Sequence, residues 1–274
     1  MHVCLMSDLH LGKKQMRVEW ALANAARYDA VVFAGDMVSD GMPEQFRKLH
    51  RIVEKYLDGI PVFCAAGNHD FPLDHIPEKE DGVYDYYSFQ EAMRRRSEKL
   101  GAIWRQDKSG ANYAQFGSMA FIGINCVTYY RRFKFEDGTQ LAALDEWLKG
   151  DSSQRRIIIC HAPLIAHNPR REKNGHPYLS RDSRLQEIVD RHGNIIFVSG
   201  HTHFSPILSE RCIEYDSAHK NVYINDGSVC PNANSGAFGK SVSDGNIVGL
   251  ALRGRNIDIS IEIFTRKNLA NILG

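Results

Sequence analysis

No stretch of this 274-residue chain approaches the ~18 consecutive apolar residues of a membrane-spanning helix. Charge of either sign is hardly in excess: 34 Lys and Arg against 33 Asp and Glu leave a formal +1. No global field draws in nucleic acid or an anionic membrane, so any attraction for anions must be local. There is no C-x-x-C pair. The six cysteines (Cys4, Cys64, Cys126, Cys160, Cys212 and Cys230) are unpatterned. Four of them sit in apolar runs, which reads as reduced, buried small hydrophobes rather than a disulfide framework. The opening MHVCLMSDLH carries no basic leader and no signal-type apolar segment, so a cytoplasmic protein without a membrane partner is expected. No linker or internal repeat divides the chain, and residues 1–274 read as one domain with ordinary composition, 43% hydrophobic and 24% charged.

What is present is an alternation of short apolar runs and helical patterns. VCLMS (3–7), AVVFAG (30–35) and PVFCAAG (61–67) read as strands. Between them lie helices over 17–28 and from Pro43, the latter with Phe46, Leu49, Ile52, Val53 and Tyr56 on one face. This β-α-β-α-β order implies a mostly parallel, buried sheet. Ser88 with Glu91 has the form of a capping box opening a helix to about Leu100. Further strands are expected at 121–126, 156–160, 195–200 and 222–225, with helices at 139–149 and 182–192. Residues 247–252 and 257–264 read as a hairpin joined by RGRN. The expected fold class is α/β, with two sheets and helices outside, the second sheet more antiparallel. Long irregular stretches at 71–87, 127–138, 163–181 and 229–245 have the length of functional loops.

Five apolar strands end in polar clusters: Ser7-Asp8-Leu9-His10, Gly35-Asp36, Gly67-Asn68-His69-Asp70, His161 and Gly200-His201-Thr202-His203. In open α/β sheets the carboxyl ends of strands line the ligand crevice, which puts all five on one rim. A lone D-x-H or G-D is common by chance. Five such clusters, each at a strand exit, exceed what turn chemistry explains. Carboxylate oxygens, imidazole nitrogens and one amide oxygen form a donor set without thiolate, suited to Mn, Fe or Zn, and sometimes Ni or Co. The candidate ligands Asp8, His10, Asp36, Asn68, His161, His201 and His203 are too many for one ion and about right for two. Two divalent ions outweigh the charge of Asp8 and Asp36, so the site would attract an anion such as phosphate. Metals ~3.5–4 Å apart can hold a bridging hydroxide for in-line attack on a phosphate ester.

Together these motifs resemble the calcineurin-like metallophosphoesterase superfamily over residues 1 to about 230. The resemblance implies a four-layer α/β/β/α sandwich of two mixed sheets flanked by helices. It implies two divalent or trivalent ions: one bound by Asp8, His10, Asp36 and His203, the other by Asp36, Asn68, His161 and His201, with Asp36 bridging. It casts His69 as the catalytic residue that contacts the phosphate and assists the leaving oxygen. The run Gly35 to Gly41 and the segment TQLAALDEWLK are most similar to bacterial cyclic-nucleotide-type phosphodiesterases, although Cys160-His161-Ala162-Pro163 stands where those enzymes often carry His-His-Pro. Phe71, Pro72 and Leu73 follow the GNH element where phosphoprotein phosphatases carry an Arg. The implied activity is metal-dependent hydrolysis of a small phosphodiester or phosphomonoester. SDLHLG (7–12) also resembles the opening motif of SbcD-type DNA nucleases, but near-neutral charge argues against nucleic acid as a stable partner. A non-catalytic scaffold on the same fold is disfavoured by the complete ligand set.

Several residues keep two readings. Asp40 and Asp70 are either partners that orient ligand histidines or caps of a helix or turn. Arg131, Arg132 and Lys134, and likewise Arg170, Arg171 and Lys173, are either solvated loop residues or a phosphate clamp. His167 and His176 lie in the loop after His161, either as bystanders or within reach of a substrate. Arg94 to Arg96 read as a solvated helix face, and Tyr84, Tyr86 and Tyr87 as packing of a lid or the wall of a base-sized pocket. Partners beyond a small phosphorylated substrate, and the oligomeric state, are not legible.

Overall fold

The computed structural model describes residues 1–12, 15–72, 84–108, 110–125, 138–171, 183–231, 244–254 and 256–264, and the backbone alone of 127–129 and 132–133. The first half runs β1 (His2–Met6), α1 (Gln15–Ala25), β2 (Ala30–Ala34), α2 (Pro43–Tyr56), β3 (Val62–Ala65), α3 (Tyr86–Lys99), β4 (Ile103–Gln106), β5 (Asn112–Phe116), β6 (Met119–Ile124) and the short strands β7 (Val127–Tyr129) and β8 (Arg132–Phe133). The second half runs α4 (Thr139–Gly150), β9 (Arg155–Cys160), α5 (Ser183–His192), β10 (Ile195–Ser199), β11 (Ile213–Asp216), β12 (Asn221–Asn225), β13 (Gly245–Arg253) and β14 (Asn256–Phe264).

Two mixed sheets face each other. One has the order β14-β13-β1-β2-β3, the other β11-β12-β10-β9-β6-β5-β4. Strands β1, β2 and β3 are parallel, as are β6, β9, β10 and β12. Strand alternation sends one set of side chains between the sheets and the other toward the helices. Val3, Leu5, Val32, Phe63 and Ala65 meet Phe121, Ile157, Ile159, Ile196 and Val198 in the inter-sheet core. Phe63 and Phe121 stack there with ring centroids 4.0 Å apart. On the outer faces, Cys4, Met6, Phe33 and Cys64 share a core with Val18 and Leu22 of α1 and Phe46 and Leu49 of α2. Ile158, Cys160 and Phe197 do the same with Leu144 of α4 and Leu185 of α5. The layering is α/β/β/α.

Three local expectations are corrected. The cap of α3 is Asp85, whose carboxylate accepts from the Ser88 N–H at 2.9 Å. Glu91 is instead drawn to Arg94 and Arg95 at 2.6 and 2.8 Å, which undoes the apparent capping box. Strands β4, β5 and β11 have no counterpart in the apolar runs. β4 and β11 are sheet edges with mostly exposed or half-buried side chains, and such strands carry no continuous hydrophobic signal. The second sheet is not the more antiparallel one: the hairpin β13–β14 joins the first sheet beside β1.

The inter-sheet stack generates a stability prediction. Phe121→Ala opens a cavity against Phe63 and should cost about 3–5 kcal/mol. Urea unfolding of the metal-free protein measures this, and a loss below about 1 kcal/mol would contradict the packing described.

Candidate metal centre

Each predicted ligand lies just past the end of a parallel strand. Asp8 and His10 follow β1, Asp36 follows β2, Asn68 and His69 follow β3, His161 follows β9, and His201 and His203 follow β10. At these exits the chain leaves the strand through left-handed backbone. Asp8, His10, Asp36, His201 and His203 have φ of 51°, 41°, 51°, 64° and 52°. A non-glycine residue held there costs roughly 1–3 kcal/mol and persists only where its surroundings over-determine it. Backbone bonds supply that constraint: Asp8 N–H donates to Gly35 O at 3.0 Å, His10 N–H to Asp36 O at 3.1 Å, Gly200 N–H to His161 O at 3.0 Å and Cys230 N–H to Asp8 O at 3.0 Å. The turns swing the side chains off the strand alternation and toward one another.

They converge as two groups. Asp8, His10, Asp36 and His203 form one and Asp36, His161 and His201 the other, with the donor atoms of each group within 4.8 Å of one another. Asp36 is common to both. His203 Nε2 lies 3.0 Å from Asp8 Oδ1, His10 Nε2 3.3 Å from His203 Nε2, and His161 Nε2 3.2 Å from Asp36 Oδ2. Asn68 is buried beside them in the short helical turn that follows β3. Asn68 Oδ1 is a buried oxygen that accepts no hydrogen bond, whereas buried oxygens are ordinarily paired. Buried Asp8 Oδ1 faces the ring nitrogens of His203 and His10. His161 donates from Nδ1 to the Ala34 carbonyl at 2.7 Å, which turns Nε2 inward. A buried unpaired oxygen, inward imidazoles and a shared carboxylate fit a pair of divalent cations.

The electrostatics agree. Burial works to raise the carboxyls of Asp8 and Asp36, but His203 beside the first and His161 beside the second outweigh it and hold both well below the usual range. Burial works to lower His161, and the Asp36 charge overcomes it, pushing the imidazole up to about 10. His201, buried next to that cation, is pushed down to about 3. Without metal, protons on the imidazoles balance the carboxylates.

His69 stands at the edge of this cluster, its ring edge-on to His10 with centroids 4.6 Å apart. Its Nδ1 lies 2.6 Å from the Ser39 carbonyl, and its N–H donates to Asp36 Oδ1 at 2.7 Å. Burial lowers its pKa. Gly67 precedes this turn because a Cβ there would sit 2.2 Å from the Asp36 nitrogen.

Asp70 is a buried brace. One carboxylate oxygen accepts from Met37 and Val38 N–H at 2.8 and 3.1 Å, and the other from Gly67 N–H at 2.8 Å, tying the turn after β2 to the turn after β3. Asp40 is exposed and exchanges two hydrogen bonds with Gln45. His167 belongs to neither donor group. It stacks on Tyr223 with centroids 3.4 Å apart and meets Glu214 at 2.8 Å, and Arg171 pairs with that same carboxylate at 2.8 Å. Arg170 is buried over the Phe204 ring. Tyr86 is fully buried against Phe46 and Phe71. Arg131, Lys134, Lys173, His176 and the side chain of Arg132 lie outside the described residues.

Sequence reasoning placed Ser7 in the first polar cluster without a role of its own and passed over Asn225 and Asp226. The Ser7 hydroxyl lies against both Asp8 and Asp226, and Asn225 receives the Thr202 hydroxyl. The signal of the last two was available: Asn225-Asp226-Gly227-Ser228 is a sixth polar cluster at a strand exit, but one without a histidine.

The proton balance yields a prediction. A cation takes neutral imidazole, so it must displace the proton that Asp36 holds on His161. Mn²⁺ added to metal-free protein at about pH 8 should release protons, and affinity should rise with pH until about 10, where His161 is already deprotonated. Calorimetry in buffers of different ionisation enthalpy counts the protons; a count of zero would contradict this charge arrangement.

Known proteins supply the context. The chain resembles the purple acid phosphatase PPD1 of yellow lupin (Lupinus luteus) seeds at 12% identity and a TM-score of 0.60, with 96% of this chain and 51% of that one covered. It thus spans about half the length of the lupin enzyme. It resembles the Thermus thermophilus protein TT1561 at 11% identity and a TM-score of 0.59, covering 94% of this chain and 97% of that one. At such identities the likeness speaks for the fold alone. No curated protein matches the chain in sequence. The calcineurin-like phosphoesterase family matches residues 1–205, which contain every residue of both donor groups, and the chain belongs to that family.

Proposed function

We propose that the chain is a dinuclear metal-dependent phosphoesterase acting on a small phosphodiester or phosphomonoester. The observation that carries this reading is the single Asp36 carboxylate shared by two donor groups, with the His69 backbone N–H donating to its Oδ1. One cation would be held by Asp8, His10, Asp36 and His203, the other by Asp36, Asn68, His161 and His201. Bound there, two such ions (Mn, Fe or Zn) would polarise the phosphate and acidify the attacking water. Two carboxylates leave a doubly charged pair incompletely neutralised, which favours an anionic substrate.

The protein's own groups do the rest. His69 commits Nδ1 to the Ser39 carbonyl, and we assign Nε2 as the nitrogen that faces the substrate. Burial disfavours its cation, while a bound phosphate would favour it, so protonation would accompany substrate binding. The proton on Nε2 would then pass to the leaving oxygen. Asp70 holds the two turns that carry Asp36 and His69 at fixed separation. The resemblance to cyclic-nucleotide-type enzymes favours a diester. The reading takes residues 1–274 as one domain working in the cytoplasm; among the described residues no helix is long and apolar enough to cross a membrane.

With Mn²⁺, the purified protein should hydrolyse bis-p-nitrophenyl phosphate or p-nitrophenyl phosphate. His69→Ala should lower kcat about 10²–10⁴-fold while leaving Mn²⁺ affinity unchanged. Asp36→Asn should lower both, kcat by about 10²–10³-fold or more. Full turnover by both variants would show the assignment to be wrong.

A further inference from the structure

The last residue of β12, Asn225, and the residue that follows it, Asp226, each grip a different ligand turn. Asn225 accepts from the Thr202 hydroxyl at 2.5 Å and donates to the Gly200 carbonyl at 2.7 Å, holding the turn that carries His201 and His203. Asp226 reaches the opposite way, to Ser7 in the turn after β1. The Asp226 backbone is itself fixed: its N–H donates to the Ser199 carbonyl at 2.9 Å, and its carbonyl accepts from Asn246 Nδ2 at 2.6 Å. Asp226 is 1% exposed and belongs to neither donor group.

Ser7 Oγ lies 2.5 Å from Asp226 Oδ1 and 2.7 Å from Asp8 Oδ2. A serine hydroxyl has one hydrogen, so it can donate to only one of these oxygens. Two anionic carboxylates around it would leave one short oxygen–oxygen contact with no proton. The contacts balance if Asp226 carries a proton on Oδ1 and donates it to Ser7, while Ser7 donates to Asp8. Asp226 Oδ2 is buried and makes no hydrogen bond, which a neutral acid tolerates far better than a carboxylate. Burial and the nearby Asp8 charge raise the Asp226 pKa in the same sense. The packing leaves no slack: a Cβ on Gly200 would sit 2.3 Å from Ser7 Oγ.

We propose that Asp226 is a positioning residue for Asp8, acting through the Ser7 hydroxyl as a hydrogen-bond donor. Asp8 Oδ2 then receives the Ser7 hydroxyl together with the His201 N–H at 3.0 Å. Oδ1, which faces the other ligands of its donor group, with His203 Nε2 at 3.0 Å, is presented to the cation with no charge added by Asp226. The proposal rests on the reading of Asp8 as a metal ligand but not on any substrate.

The test is a double-mutant cycle read as Mn²⁺ affinity by calorimetry, with thermal unfolding in chelator as the control for folding. Ser7→Ala and Asp226→Ala should each weaken Mn²⁺ binding about 10–100-fold. The double variant should be no weaker than the worse single, because Asp226 has no route to Asp8 once the hydroxyl is gone. Asp226→Asn, whose amide can donate to Ser7 in the same place, should bind close to the wild type. Losses that multiply in the double variant would overturn the proposal, as would an Asp226→Asn loss of about tenfold or more; the latter readout stands even if Asp226→Ala does not fold. The predicted affinity pattern in a protein that turns over no phosphate ester would count against the phosphoesterase reading alone. A wild type that binds no Mn²⁺ would overturn both.

Discussion

The centre depends on one buried carboxylate. Asp36 Oδ2 faces His161 at 3.2 Å and His10 at 3.8 Å, and Oδ1 accepts the N–H of His69. Through these contacts it joins the turn after β1, the turn after β3 and, across the sandwich, the end of β9. His161 strengthens the same junction by donating to Ala34, the last residue of β2. Beyond the apolar core between them, the two sheets are thus also joined at this charged group. Its neighbours are constrained in turn: Gly67 has no room for a side chain, and Asp70 fixes the amides of Met37 and Val38 that follow Asp36.

Such a junction is costly to assemble. Five donor residues sit in left-handed backbone, and two carboxylates and several imidazoles are taken out of water. The backbone cost is offset by a lattice of main-chain bonds between the turns, the same bonds that hold the side chains in register. The charge cost is met in the metal-free state by protons that the carboxylates keep on His161 and His10, against the burial that would remove them. A site balanced by removable protons is suited to exchange them for cations. The end of β12 adds a further support, with Asn225 bonded to the turn that carries His201 and His203 and Asp226 to Ser7 in the turn after β1.

Much of this was legible in the residues. Apolar strands such as AVVFA, buried along their whole length, announce themselves, and a polar cluster at the exit of a buried strand has few structural reasons to exist. The edge strands β4 and β11 were invisible because they bury too little. The cap of α3 was misplaced because Ser88 and Glu91 imitate a motif whose second member is claimed by arginines. His167 and Arg171 look like substrate contacts only until Glu214, more than 40 residues later, is seen to take both. Asp70 and Asp226 stand in polar clusters at strand exits, but residue type alone does not say what either carboxyl holds. Each matters because of a backbone amide or a hydroxyl that the fold brings to it.

By itself, the sequence determined the order of the buried strands and the helices, the family, and seven candidate side chains with donor chemistry suited to cations. Those follow from local properties: hydrophobic period, residue type, and position at the end of an apolar run. Only the tertiary structure decided which donors share Asp36, which imidazole nitrogen points inward, which acids are braces, and which basic residues are already paired. Those depend on distances between turns far apart in the chain, set by how two sheets pack and by the short-range geometry of hydrogen bonds.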